Sequence, residues 1–291
     1  MSWLQRIAEC NRHEPGRYLP LVIGPTCIGH IRRDRVRTLL DLGAGFTLRG
    51  GHIELPGDDF ARRTECLREV VEGLAAGGAI RRPTGELYPL APHPRAAPLA
   101  LLERAAVAWF GAASCGVHLN GFVRTSRGIE MWIAERSHSK ATHPGKLDNM
   151  VAGGQPHGLS LRANLIKECA EEAGIDAALA SRASAVGVVS YVLEDDSGLK
   201  PDTLYCYDLE LPDEFRPRCV DGEVERFVRM PIVDVASLVA RTDRFKFNCN
   251  LVVIDFLLRH GLLDEEDPNL PTIASGLRTR LTPWLGTHDP S

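Results

Sequence analysis

GKLDNMVAGGQPHGLSLRANLIKECAEEAGI, residues Gly145–Ile175, runs from an apolar segment through a glycine loop into an acidic helix. Its last part, KECAEEAGI, puts Glu168, Glu171 and Glu172 at helical spacings of i, i+3 and i+4. At 3.6 residues per turn the three carboxylates share one sector of the helix. Leu165, Ile166, Cys169 and Ala173 fall on the adjoining sector, so one side can pack while the other carries acid. Like charges one turn apart destabilise an isolated helix by a few tenths of a kcal/mol. A divalent cation held between them reverses that sign, because hard cations such as Mg²⁺ take oxygen ligands. A solvated acidic face is the ordinary alternative for such a cluster. The flanks bear on the choice. Met150–Ala152 reads as a strand ended by Gly153 and Gly154, Gln155–Leu159 as a loop, Ser160 as an N-cap and Gly174 as a C-cap glycine.

The surrounding chain sets bounds. Its 291 residues suffice for one large domain or two modest ones. A hydrophobic content of 44%, a charged content of 25% and a net charge of −4 are those of an ordinary globular protein. They give no electrostatic case for nucleic acid or a membrane surface as partner. Eight cysteines are scattered without C-x-x-C pairs, which argues against a zinc ribbon or a small disulfide scaffold. The start, MSWLQRIAEC, has no long apolar core, and no stretch reaches the length of a membrane span. A reducing, cytoplasmic setting and a monomer or homodimer are the expectations.

Strand, glycine loop, acidic helix and glycine stop together resemble the Nudix box, G-x5-E-x7-R-E-U-x-E-E-x-G-U with U aliphatic. Gly153 takes the first glycine, Glu168 the glutamate after the arginine, Glu171 and Glu172 the E-E pair, and Gly174 with Ile175 the close. Leu159 stands at the early glutamate, Lys167 at the arginine and Cys169 at the aliphatic position. Lysine keeps the charge of arginine but loses its bidentate fork. The resemblance implies an α+β fold, an α/β/α sandwich on a mixed sheet, over residues 111–291. It implies hydrolysis of a diphosphate with Mg²⁺ or Mn²⁺. Glu168 and Glu172 would be the principal metal ligands, with Glu171 completing the shell or serving as base and the Gly153 carbonyl as a further ligand. Members often add a remote loop acid, and Glu223, in the Asp221–Glu225 loop, is the candidate beside an ordinary turn acid. Lys140, Lys146 and Lys167 are the candidate diphosphate contacts, against the default of surface lysine.

Residues 1–110 read as a smaller α+β domain. Trp3–Cys10 is an amphipathic helix, Tyr18–Ile23 and Cys27–Ile31 a hairpin, and Arg32–Leu42 a helix. Phe46–Leu48 and His52–Leu55 form a second hairpin, Phe60–Leu74 a helix, Arg82–Pro98 an extended proline-rich segment and Leu101–Phe110 a helix. Glu9-Cys10-Asn11, Gly29-His30-Ile31 and Gly85–Pro89 (GELYP) resemble, in order, a Nudix subgroup related to the front half of fungal-type thiamine pyrophosphokinase.

Beyond, Gly116–Val123, Met131–Ala134, Ala185–Leu193, Thr203–Leu211 and Phe227–Ile232 read as strands. Glu194–Lys200 reads as an acidic loop, and Ile232–Ala240 and Asn250–Arg259 as helices. GVHLNG, YDLELP, DGEVERF, FKFN and DFLLRHG extend the subgroup resemblance over nearly the whole chain. It implies thiamine diphosphate, or an oxidised or damaged form of it, cleaved to the monophosphate. A nucleoside diphosphate derivative (ADP-ribose or an oxidised dNTP) is the alternative substrate, and a Nudix ligand-binding module without turnover the alternative class. His118, in an alternating strand, is better explained as a hydrogen-bonded structural residue than as a substrate contact. Trp132, Tyr191, Tyr205 and Phe247 are candidate stacking residues, although strand aromatics are more often core. Glu194, Asp195 and Asp202 are candidate partners for a cationic ring.

Overall fold

The structure is a computed structural model that describes residues 2–93, 96–281 and 286–287. Helix α1 (Trp3–Cys10) starts where the Ser2 hydroxyl accepts the Gln5 amide. Strands β1 (Tyr18–Ile23) and β2 (Thr26–Arg32) pair antiparallel across a turn whose Gly24 has φ of 54°. A short α2 (Val36–Asp41), the hairpin β3 (Thr47–Arg49) and β4 (His52–Glu54), and the long α3 (Phe60–Ala76) follow. Cys66, Leu67, Val70, Val71 and Leu74 form the buried stripe of α3, and Asp59 caps its first turn through the Arg62 amide.

The expected helix over Leu101–Phe110 is not formed. Within the proline-rich segment, of which Pro94 and Arg95 lie outside the described residues, β5 (Leu87–Leu90) pairs antiparallel with β6 (Ala100–Glu103), and a single 3-10 turn follows at Arg104–Ala106. LLERAAVAWF is a good helical composition, but its first residues meet a better partner in space. The Leu101 amide is taken by the Thr64 hydroxyl of α3, and the Glu103 carboxylate accepts the Thr84 and Gly85 amides. Tertiary pairing overrides propensity here.

The second sheet holds β7 (Ser114–Thr125), β8 (Gly128–Arg136), β9 (Leu147–Asp148) and β10 (Val151–Gly154). After helices α4 (Leu161–Ala173) and α5 (Ala177–Ala180) come β11 (Ser184–Asp195), β12 (Gly198–Glu210) and β13 (Val224–Pro231). Helices α6 (Ile232–Arg241), α7 (Phe247–Arg259) and α8 (Leu270–Gly276) and the short β14 (Gly286–Thr287) complete the chain. The order is β11-β12-β7-β8-β13, with β10 paired to β7 and β9 to β8. β12 runs parallel to β7 and the other pairs are antiparallel, so the sheet is mixed. Alternation along β7 assigns the two faces. Val117 and Leu119 pack with Leu165, Cys169 and Ala173 of α4. Phe122 joins Met131, Ile133 and the apolar face of α7 on the other side. This is an α/β/α sandwich preceded by a smaller sheet-containing region. The expected acidic loop at Glu194–Lys200 shrinks to a tight turn, because Glu194 pairs with Leu199 and Asp195 with Gly198.

Packing crosses between the halves at both ends. Ile7 and Cys10 of α1 enter the core around α7, and the buried Arg6 guanidinium donates to the Val239 carbonyl at 2.8 Å. At the far end β14 pairs with β2, extending the first sheet.

Candidate active site

Helix α4 is fixed at both ends by local chemistry. The Ser160 hydroxyl accepts the Ala163 amide, and Gly174 turns into the left-handed region with φ of 63°. With Leu165, Cys169 and Ala173 driven into the core, Glu168 and Glu172 are turned toward β10. The Glu172 carboxylate is 8% exposed and accepts the Ala152 amide at 2.9 Å. Glu168 lies flat across Gly153, so closely that a Cβ there would sit 2.3 Å from Glu168 Cδ. The glycine is needed for this approach.

A third acid, in the segment before β13, acts on the same pair through its charge. Glu223 is half exposed and ion-paired to Lys140. Its carbonyl accepts the Ser137 amide, which clasps its loop to the one after β8. The charges of Glu168, Glu172 and Glu223 oppose one another. Burial, with Asp148, Glu168 and Glu223 reinforcing it, pushes Glu172 up to about 8 despite the Ala152 hydrogen bond. Burial also raises Glu168, against the pull of Lys167. Carboxylates that disfavour each other's ionisation are a donor set that a hard divalent cation relieves, whereas the Gly153 carbonyl is located against Gly116 of β7. The residues present fit Mg²⁺ or Mn²⁺.

The other expected residues are placed as follows. Lys167 lies 2.6 Å from Glu171 and 3.3 Å from Glu168, a single ammonium joining the two acids. Glu171 is half exposed and faces Lys167, outside the buried pair. Lys146 donates to the Asp243 carbonyl, so the structure ties it to the far loop and not to the acids. Leu159 is 40% exposed, and its carbonyl accepts from the Gln155 side chain. Cys169 is fully buried, its thiol pushed up to about 12 by burial, and acts as a small apolar packing group. Among the candidate stacking residues, Tyr191 is core; its hydroxyl donates to Asp202 and its ring meets Phe247 edge-on. Glu194 pairs with Arg17, and Asp195 with Lys200.

On the α7 side of the sheet, His118, Asp148 and Cys249 bring donor atoms within 4.8 Å of one another, all buried. The Asp148 carboxylate already faces Arg136 at 2.8 Å and Lys246 at 3.7 Å, and His118 Nδ1 meets Asn149 Oδ1 at 2.9 Å. His118 is thus buried and hydrogen-bonded. Burial, ahead of the Lys246 charge, holds its pKa down to about 4, so the imidazole is neutral.

Two residues of the first half had no role in the sequence reading. Tyr88, the tyrosine of GELYP, presses its hydroxyl on Gly154, where a Cβ would lie 1.8 Å from it. Arg104 pairs with Glu86 at 2.7 Å and lies within electrostatic reach of Tyr88 and Glu223. The His157 amide donates to the Leu87 carbonyl, joining the box loop to β5. GELYP marked the position in sequence, but its destination is a product of the fold.

A carboxylate-bearing helix packed on a glycine strand, within an α/β/α sandwich with a mixed sheet, defines a metal-dependent hydrolase of diphosphates. The chain belongs to the Nudix hydrolase family. It is 43% identical over 283 residues to Nudix hydrolase 24, chloroplastic, of Arabidopsis thaliana, covering 95% of this chain and 78% of that protein. It is 41% identical over 296 residues to Nudix hydrolase 20, chloroplastic, of the same plant, covering 96% and 78%. A family model described as a domain of unknown function (DUF4743) matches residues 2–114. Among solved structures, the NUDIX domain of Shewanella oneidensis NrtR complexed with ADP ribose aligns over 53% of this chain and 91% of that one, at 15% identity and a TM-score of 0.41. The plant names correct the expected cytoplasmic setting, since both relatives are chloroplastic proteins. Scattered thiols and short apolar runs do not separate cytosol from organelle. Among the described residues, no helix is long and apolar enough to cross a membrane.

Proposed function

We propose that Glu168 and Glu172 hold the divalent cation, with Glu223 facing them from its loop, and that the site cleaves a small organic diphosphate to the monophosphate and phosphate. The observation that carries this reading is the seating of Glu168 on Gly153 beside the buried Glu172. When bound, the cation supplies charge to screen the phosphate oxygens and acidify a water. The chain's own groups do the rest. Glu172 is anchored by the Ala152 amide, so its free oxygen keeps one direction. Lys167 orients Glu168 and Glu171. In this proposal the half-exposed Glu223 takes a proton from a water and Lys140, its ion-pair partner, meets a phosphate oxygen. Arg104 brings a second cation from the first half.

Two chemistries compete for the organic half. Thiamine-type diphosphates are implied by the GELYP, YDLELP and DFLLRHG resemblances. Nucleoside diphosphate derivatives are the second reading, and ADP ribose is the ligand named for the Shewanella domain. Phosphate release with Mg²⁺ or Mn²⁺ on thiamine diphosphate, oxythiamine diphosphate, ADP-ribose and an oxidised dGTP separates them. Because ADP-ribose and the dGTP release no free phosphate directly, their monophosphate products are followed by chromatography. Glu168→Gln and Glu172→Gln are expected to lower turnover at least ~100-fold on whichever substrate is used. Turnover of no substrate, or variants as active as the parent, would remove the enzyme reading in favour of a ligand-binding module.

A further inference from the structure

Four stretches outside the acid helix, GVHLNG, YDLELP, FKFN and DFLLRHG, meet on the α7 side of the sheet. A run of hydrogen bonds begins there at Asp208. Arg259 grips this carboxylate at 2.7 and 3.1 Å, so it can only accept. It takes Nδ2 of Asn120 at 3.0 Å, which turns Asn120 Oδ1 to Nδ2 of Asn149 at 3.3 Å. Asn149 Oδ1 in turn faces His118 Nδ1 at 2.9 Å, the ring's one hydrogen bond among the described residues. Each amide is oriented by the group before it, and the last acceptor places the ring proton of His118 on Nδ1. In the neutral ring Nε2 then carries the lone pair.

The ring stands beside two further donors. One donor atom each from His118, Asp148 and Cys249 lies within 4.8 Å of the others, and all three residues are buried. A tetrahedral Zn²⁺ with bonds of about 2.0–2.3 Å keeps its ligand atoms roughly 3.5 Å apart, so shifts of about 1 Å complete such a site. Cys249 Sγ gives its proton to Asp148 Oδ1 at 2.7 Å, and that proton is the one a metal ion replaces. The two oxygens of Asp148 have separate tasks. Oδ1 faces the thiol and the Asn149 amide, whereas Oδ2 faces Arg136 at 2.8 Å and Lys246 at 3.7 Å. Arg136 also donates to the Thr142 and His143 carbonyls, so it keeps partners when Oδ1 turns to a metal. Asn248 Oδ1, 3.6 Å from the same sulfur, offers a fourth donor.

We propose that His118, Asp148 and Cys249 form a second metal site, built for Zn²⁺ or a similar transition ion and separate from the acids of α4. The ligand chemistry draws the distinction. A thiolate and an imidazole favour Zn²⁺, while Mg²⁺ takes oxygen ligands. Thiolate and carboxylate together match the charge of a dication, and the imidazole is held in its ligating tautomer by its other nitrogen. The bound ion ties β7 and β9 to α7, joining Asp148 to Cys249 across 101 residues of chain.

For the test, the full chain is stripped with a chelator and titrated with Co²⁺ in excess Mg²⁺, which keeps the acids of α4 occupied. The expected spectrum has a near-ultraviolet thiolate-to-cobalt band and the strong visible bands of a tetrahedral ion, saturating at one Co²⁺ per chain and lost on adding Zn²⁺. Oxygen ligation at the acids gives no thiolate band. Cys249→Ser is expected to abolish that band and to weaken Zn²⁺ binding at least ~100-fold, at or beyond the loss an outer partner of a ligand causes. Cys219→Ser, which changes the exposed thiol, should leave both unchanged. Since Cys249→Ser alters a core residue, X-ray absorption at the zinc edge puts the same question to the unaltered protein, with a sulfur and an imidazole expected among the ligands. A cobalt spectrum without the thiolate band, a zinc ion with no sulfur ligand, or a band that persists in Cys249→Ser would overturn the site.

Discussion

Replacing Gly153 by alanine isolates the contact on which the proposed metal site rests. The backbone there lies outside the left-handed region, so alanine meets no conformational penalty. What it meets is Glu168, with Cδ at 2.3 Å, Cγ at 2.4 Å and Oε1 at 2.6 Å from the new Cβ. Ordinary contact begins at 3.4 Å, so the carboxylate must retreat by roughly 1 Å. The atoms that move are the far end of a side chain, and the stability cost stays within about 1–2 kcal/mol, the lower part of the range for overpacking. A 1 Å misplacement of a catalytic group costs on the order of 100-fold in rate, or about 2.7 kcal/mol of barrier. Gly153→Ala is therefore expected to fold with a melting temperature within a few degrees of the parent, to bind Mn²⁺ at least ten-fold more weakly and to lose about two orders of magnitude in kcat. Gly16→Ala, with nothing within 4 Å, is the control and should match the parent. Calorimetric Mn²⁺ titration and product release on one preparation provide the comparison. Unchanged Mn²⁺ affinity and rate would refute the placement of Glu168, and global unfolding would refute the claim that the side chain absorbs the strain.

Two further outcomes follow from the same geometry. Arg104→Ala should raise KM about ten-fold with kcat within three-fold, since Arg104 reaches toward Glu223 from the first half; a fall in kcat at constant KM would assign it a different role. Stability should depend on pH through Glu172, which burial holds up to about 8 in the folded chain, while an unfolded glutamate ionises near 4.5. Between those values the folded state keeps the extra proton, so metal-free stability falls as pH rises. His118, held down to about 4, acts in the opposite sense between pH 4 and 6.5, which makes 6.5 to 8 the window to measure. Urea unfolding there should show a loss of about 2 kcal/mol that Glu172→Gln or saturating Mg²⁺ removes; a slope that persists in both would exclude Glu172 as its source.

The box was legible because its information is local. A capping serine, a buried stripe, carboxylates one turn apart and a left-handed glycine all act within one helix and its flanks, and Ser160, Leu165, Glu168, Glu172 and Gly174 stand where their spacing put them. Alternation along the strands likewise gave the layers. Four features depended on contacts distant in sequence. LLERAAVAWF became strand and turn because β5 and Thr64 were available in space. Lys146 was drawn to the Asp243 carbonyl. Helix α1 packs into the core around α7. Tyr88 and Gln155 came to border one recess although five strands, β6 to β10, lie between them in sequence. Periodicity reports which face of an element is buried, but not what it is buried against. That is set by which apolar surfaces and unpaired backbone groups meet when the whole chain closes, and so the helix carrying Glu168 and Glu172 was readable from sequence while the seating of Tyr88 on Gly154 was not.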